Sequence, residues 1–566
     1  MEQITARPTE LERFLDPGFL NLNEVLDALE LEVGPSSGLF VKQGLELRRC
    51  PPERRKVAIA ISGGGASGAY NAGLLEVLLG GLRRRGIDVG ILVGTSSGAV
   101  NGYGVFLEAL GLGNPQFRTD PSIRQPFDSY IASAWSYLDR DGKASRWVVG
   151  QRSWIVRFAS RGFPSGWRKL GIALLLVAVA ALLQPNLLLP LASLAARAGA
   201  DSLGWIGSDS LAQSVPFLFG LALAATAALC VGGWLVAKAF RESLFPDLPL
   251  LRFLANTGPD GDLRGYPRLS RGQAIDRARN LSRDIVAEWY RRRDEVPEFI
   301  VTGTDISAGR ECLFTLVRPE TYRLLLQREW MAVQFDSVPA CSTDYACGAR
   351  AMFAPPETFL RSLVASSAVP GAFPTQRIGI YRAGGNQVAR HHFVDGGVLN
   401  NSPVHVAIDA GATHVISLEI RPFEQKDPLA SDARPSGGYR LLEAALATFT
   451  TVLERATRED IRRTASWNRF LMSRPAGLGP GRGSVGRAAP QRRVVPIYRV
   501  APRAPLVGTV EFDGRFEEGK RTVTLRDLLH RGVLDMRGRN VWPATVRHRP
   551  GWTDPVRQDP SRDGAG

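Results

Sequence analysis

The residues whose types and spacing could do chemistry fall in three short stretches: Gly63-Gly64-Gly65-Ala66-Ser67-Gly68, Gly94-Thr95-Ser96-Ser97-Gly98 and Asp395-Gly396-Gly397. The second fits G-x-S-x-G, in which a serine on a tight strand-to-helix turn is a nucleophile and flanking glycines avoid clashes with neighbouring backbone. Ser96 is that serine. A helix starting at Ser97 would add free N–H groups and a positive dipole end beside a developing oxyanion. The first stretch could offer the Gly63, Gly64 and Gly65 amides to the same oxyanion, with Gly64 and Gly65 the best donors. Read alone it also fits the dinucleotide fingerprint G-x-G-x-x-G, and Asp88 follows Gly68 at about the right interval. Asp88 nevertheless precedes the second strand instead of ending it, where an acid that grips a ribose belongs.

The serine needs a base. His391, His392, His405, His414, His530 and His548 all lie downstream of both glycine motifs, so a Ser, Asp, His order is open. The rivals are acids acting directly: Asp395, which follows the run His392 to Val394, and Asp305, which ends the run Phe299 to Thr304. Asp-Gly-Gly is equally what a bare tight turn requires.

These groups must be positioned by something, and the surrounding pattern says what. Lys56 to Ser62 and Val89 to Val93 are short β-branched apolar runs, while Ala69 to Leu82 and Ser97 to Leu110 have helical spacing. Strand, turn, helix, strand, turn, helix is the grammar of a parallel sheet with helices on its faces. Phe299 to Thr304, His414 to Ile420 and Ile497 to Val500 are further strands; Leu20 to Leu31, Ala445 to Arg463 and an Arg-rich segment carrying Ile275, Ala278, Ile285 and Trp289 on one face are helices.

In order along the chain, G-G-G-A-S-G at 63–68, G-T-S-S-G-A at 94–99, S-S-A-V-P-G-A-F-P at 366–374 and D-G-G at 395–397 resemble the patatin-like phospholipases. The resemblance implies a three-layer α/β/α sandwich with a mainly parallel central sheet and acyl hydrolysis by a Ser-Asp dyad. Carried over position by position, it makes Ser96 the nucleophile, Asp395 the base and Gly63 to Gly65 the oxyanion hole, with no metal or cofactor and with the histidines as bystanders. Ser67 stands where members of that family often have Arg or Lys.

One region departs from the rest in composition. No charged residue occurs between Lys169 and Arg197 or between Asp209 and Lys238, and the block Val215 to Ala237 is long enough as a helix to span a bilayer. Basic flanks at Arg157, Arg161, Arg168, Lys169, Lys238 and Arg241 put both ends in the cytoplasm. The expectation is an inserted transmembrane helical hairpin, 166–240, between a lead-in (1–55) with a first catalytic part (56–165) and a second catalytic part (241–424) with a C-terminal extension (425–566). The acidic N-terminal residues do not form a signal peptide. A multi-pass protein of the cytoplasmic (inner) membrane, its catalytic domain facing the cytoplasm, follows as the expected location.

Lys and Arg outnumber Asp and Glu by 70 to 55, a net charge of +15 that favours anionic partners. Hydrophobic residues at 44% and charged residues at 22% exclude wholesale disorder. Five scattered cysteines do not make a disulfide framework. The expected partner is membrane phospholipid or lysophospholipid, and no nucleic-acid motif is present. Two other functions fit the same residues: an esterase or thioesterase on small soluble substrates, and a non-catalytic membrane scaffold or nucleotide-binding protein.

Overall fold

Runs of aliphatic residues buried on both faces seed the sheet, because a strand between two apolar layers has no polar side to keep. In the computed structural model, which describes residues 21–35, 45–119, 127–139, 248–262, 268–336, 350–370, 373–382, 389–420, 466, 468, 495–502, 506, 515–518 and 521–538, such runs form the centre of a ten-stranded sheet. In chain order the elements are α1 (Leu22–Ala28), β1 (Leu31–Pro35), β2 (Leu45–Arg49), β3 (Val57–Ile61), α2 (Gly68–Arg84), β4 (Val89–Gly94), α3 (Ser97–Leu110), α4 (Gln116–Thr119), α5 (Tyr130–Leu138), α6 (Leu248–Ala255), α7 (Arg271–Arg292) and β5 (Glu298–Asp305). There follow β6 (Arg310–Leu316), α8 (Pro319–Gln327), β7 (Met331–Phe335), β8 (Met352–Ala354), α9 (Phe359–Ser366), β9 (Gln376–Arg382), β10 (Ala389–Asp395), α10 (Val404–Asp409), β11 (His414–Leu418), β12 (Ile497–Val500), β13 (Arg515–Glu518), β14 (Arg521–Thr524) and α11 (Leu525–Met536).

The parallel half runs β12-β11-β3-β4-β5, every neighbouring pair parallel. From β5 onward the chain departs from the α/β/α sandwich that the motifs imply. It turns back through an antiparallel hairpin into β6, continues β6-β7-β8-β9-β10, and β10 pairs again with β5, so six strands close into a mixed ring. The expectation of a mainly parallel sandwich interrupted by a membrane hairpin is therefore corrected to a parallel sheet that feeds a closed six-strand mixed β-barrel. The physical reason is the length of β5. Its eight residues outrun β4, whose pairing stops at Gly94 opposite Val301, and the uncovered upper edge is taken by β10, with Asp395 opposite Gly303 and Phe393 opposite Asp305. Sheet edges left bare invite foreign strands, and closure removes this one.

Among the described residues no helix is long and apolar enough to cross a membrane. The hairpin expected at 166–240 and the helix expected at 445–463 lie outside the described residues.

Aromatic side chains pack the barrel strands together: Phe314 of β6 lies 4.9 Å from Phe393 of β10, and Phe335 of β7 lies 5.3 Å from Phe359 of α9, between ring centroids. On the parallel half, α3 follows β4 and stacks Phe106 on Phe299 of β5 at 5.0 Å. Helix α11 lies against α2 closely enough that a Cβ on Gly73 would stand 2.0 Å from the Leu529 carbonyl oxygen.

Candidate active site

β4 runs up one edge of β5 and β10 runs down the same edge, so their two C-terminal ends meet at Thr302. Ser96 follows the first end and Asp395 closes the second. The junction is tied by hydroxyls: Thr95 Oγ1 lies 2.7 Å from Thr302 Oγ1 and donates to the Asn400 carbonyl at 3.1 Å. Thr304 Oγ1 donates to the Asp395 carbonyl at 3.0 Å.

Ser96 has φ 55° and ψ −125°, a left-handed backbone that costs a non-glycine residue energy and that tertiary packing must hold. What holds it is close approach on either side. A Cβ on Gly98 would fall 2.2 Å from the Ile61 carbonyl oxygen, and one on Gly94 would fall 2.5 Å from Ala99 Cα. The Ser96 N–H donates to Ser366 Oγ at 2.9 Å. The same segment holds the acid, since the Asp395 N–H donates to the Ala368 carbonyl at 2.9 Å. Ser366 and Ala368 thus supply a hydroxyl and a carbonyl that fix Ser96 and Asp395 relative to one another.

Ser96 and Asp395 are both buried, at 7% and 2% exposure. Burial pushes the Asp395 carboxyl up to about 7, because its charged form loses water and no charged neighbour compensates; the Ser96 hydroxyl and the Gly397 N–H, which donates to Oδ1 at 2.7 Å, pull it partly back. Ser67 is fully buried and uncharged.

The glycine stretch lies directly beside Ser96: a Cβ on Gly63 would come 2.8 Å from Ser96 Cβ. The amides of this stretch go different ways. The Gly63 N–H donates to the Asn401 carbonyl at 3.2 Å and the Gly64 N–H to Ser97 Oγ at 3.0 Å. Gly65, at φ 55°, opens a 3₁₀ turn, and Ser97 opens α3; both N–H groups stand at the start of a helical turn, where no backbone carbonyl of that turn accepts them. Ser97 has no place in the glycine stretch, yet the helix start after a nucleophile is the sequence signal that points to its amide.

The other titratable candidates lie apart from Ser96. Asp305 is fully buried and takes His391 Nδ1 at 2.7 Å on Oδ2, with the Ser307 and Ala308 amides on Oδ1. His405 pairs with Asp409, and His414 bonds Thr413 and the Leu31 carbonyl. His530 packs on Phe127 and His548 lies outside the described residues. Two large apolar side chains are exposed, Ile306 just past the end of β5 at 51% and Leu399 at 46%. The first is held to β10 by its N–H on the His392 carbonyl, and the second follows Asp395 by four residues.

Residues 59–196 and 339–408 match the family model of the patatin-like phospholipases, a match that takes in the glycine stretch, Ser96, Ser366 and Asp395. It supports a lipid acyl hydrolase as the class of this chain. No curated protein matches it. Among the solved structures that match is the crystal structure of VipD from Legionella pneumophila, 12% identical, covering 90% of this chain and 69% of that one at a TM-score of 0.27.

Proposed function

We propose that the chain hydrolyses carboxylic ester bonds of phospholipids or lysophospholipids at the cytoplasmic face of a membrane, through Ser96 and Asp395. The observation that carries this reading is the meeting of a serine on a strained, tightly packed turn with a buried carboxyl raised to about 7. A carboxyl in that range can take a proton near neutral pH, which an ordinary solvated aspartate does poorly.

Asp395 takes the Ser96 proton as the Oγ attacks the acyl carbonyl carbon. The Gly65 and Ser97 amides receive the negative oxygen. Collapse of this intermediate breaks the ester C–O bond, and the departing alcohol takes the proton from Asp395. Water then gives a proton to the same carboxylate and attacks the acyl-serine; Ser96 leaves with that proton and the fatty acid is released. Exposed Ile306 and Leu399 can enter a lipid surface, and the +15 net charge favours an anionic one.

Fatty-acid release from mixed phospholipid vesicles, with EDTA present, tests the proposal on wild type, Ser96→Ala, Asp395→Asn and the double variant His391→Ala/His392→Ala. Release is expected from wild type and from the histidine variant and is expected to vanish in the other two. Cleavage of a short soluble ester with none from vesicles would remove the lipid substrate and leave the mechanism. Loss of all cleavage in the histidine variant, or none in wild type on any ester, overturns the dyad.

A further inference from the structure

The mouth of the barrel holds a cavity of about 490 Å³ that no part of the Ser96 site lines. Its walls come from four consecutive strands where they share one end: Arg310 from the start of β6, Trp330 from just before β7, Arg350 from just before β8, Met352 from its start, and Arg382 from the end of β9. The registers explain the gathering. Arg310 stands opposite Asp305, Cys312 opposite Met331, Val333 opposite Met352, and Met352 opposite Arg382, so the ring brings residues remote in sequence to one rim.

Arg310, Arg350 and Arg382 are all exposed and solvated, yet three guanidinium groups on one small cavity concentrate positive charge there. Less exposed arginines have carboxylate partners: Arg318 pairs with Glu298 and Asp294, Arg328 with Asp409, Arg499 with Glu419 and Arg531 with Asp535. Among the described residues no carboxylate lies within ion-pair distance of Arg310, Arg350 or Arg382. Arg310 has only the weak sulfur acceptor Met331 Sδ, 3.3 Å from its Nε. The one acid in the wall is Glu329, exposed and at φ 66°, just past the end of α8.

We infer that this cavity is a phosphate-binding site, separate from the ester-hydrolysing centre. A single guanidinium fork satisfies the two oxygens of a carboxylate; three forks around one volume suit the tetrahedral oxygens of phosphate, with two or three charge-assisted hydrogen-bond pairs. The phosphate arrives either on a lipid headgroup or as a soluble phosphate ester. Glu329 opposes it, limiting how much negative charge the cavity accepts.

The test needs no catalysis. Calorimetry with inorganic phosphate compares wild type with Arg310→Gln/Arg350→Gln/Arg382→Gln, with Glu329→Gln, and with the charge-matched control Arg54→Gln/Arg268→Gln/Arg271→Gln, whose arginines are exposed and remote from the cavity. Circular dichroism verifies that each variant is folded. The cavity triple is expected to weaken phosphate binding by about tenfold or more, Glu329→Gln to tighten it, and the control to change neither. Sedimentation with phosphatidylcholine vesicles, with and without phosphatidic acid, separates the sources. If the triple also loses binding to phosphatidic acid, and glycerol phosphate competes with it, the ligand is a headgroup; if vesicle binding is unchanged while inorganic phosphate is lost, the ligand is soluble. Equal phosphate affinity in wild type and the cavity triple, or an equal loss in the control, overturns the proposal.

Discussion

The parallel half of the molecule and the barrel half hold their contributions to the site by opposite means. Ser96, at the end of β4, is fixed by backbone: a strained φ, and two glycines packed so tightly against Ile61 and Ala99 that no side chain fits. Asp395, at the end of β10, is fixed by hydrogen bonds: its N–H on Ala368, its carbonyl on Thr304 and its Oδ1 on Gly397. A turn held by steric fit keeps its shape whatever the pH, whereas an acid held by polar contacts in a dry place has an energy that changes with protonation. The difference assigns rigidity to Ser96 and pH sensitivity to Asp395.

Four changes sharpen or break this contrast. The largest effect is on chemistry: Ser96→Ala should lower ester hydrolysis by at least about 10⁴-fold with the melting temperature nearly unchanged, measured by fatty-acid release and calorimetry. In wild type the same assay should rise with pH through about 7, as the Asp395 carboxyl ionises, and then level off. The second effect is on stability. Because the folded carboxyl is raised to about 7, wild type keeps its full stability below the unfolded value near 4 and loses it as pH climbs from about 4 to about 7. Asp395→Asn carries no such cost, so denaturation midpoints should show it gaining on wild type across that window, by up to about 4 kcal/mol, with the gap constant above it. A gap that does not change with pH would mean that the carboxyl is not held in a dry place. The third is steric. Gly98→Ala should cost about 3 kcal/mol at every pH, seen as a lowered urea midpoint, since its Cβ meets the Ile61 carbonyl. The smallest is Ser366→Ala, which leaves the buried Ser96 amide without its acceptor; about 2 kcal/mol of stability and part of the hydrolysis rate should go.

The two halves were also unequally legible. Val57–Ile61 and His414–Leu418 are buried at every position, and Ile497–Val500 at all but Arg499, so each reads as an apolar run without any knowledge of its neighbours. Within the barrel, β5 and β7 are also buried throughout, and Phe299 to Thr304 reads as a strand, but β8, β9 and β10 do not read that way. β9 alternates buried and open positions with arginines at Arg377 and Arg382, β10 begins Ala389-Arg390-His391-His392, and β8 has three residues. Arg382 and Arg390 stand at the barrel mouth, and charge there interrupts the apolar pattern that marks a strand. Closure depends on Phe393 meeting Asp305, a pairing no local pattern encodes. In the site, Ser96 and Asp395 stood out because turns of that shape demand glycines at fixed offsets, but Ser366 and Ala368 did not, because a hydroxyl and a carbonyl that clamp two strand ends look like any others in a sequence.

The shared edge of β5 has a consequence for when the protein becomes competent. Ser96 and Asp395 are about 300 residues apart in the chain, and a contact of that span forms late, after the loop between them has been closed. At ordinary rates of synthesis the ribosome needs about 15 to 60 s to travel from one to the other. For that interval the emerging chain carries Ser96 without the Asp395 carboxyl that the proposed mechanism pairs with it. Reactivity toward a serine-directed probe, followed against chain length, would therefore report closure of the barrel.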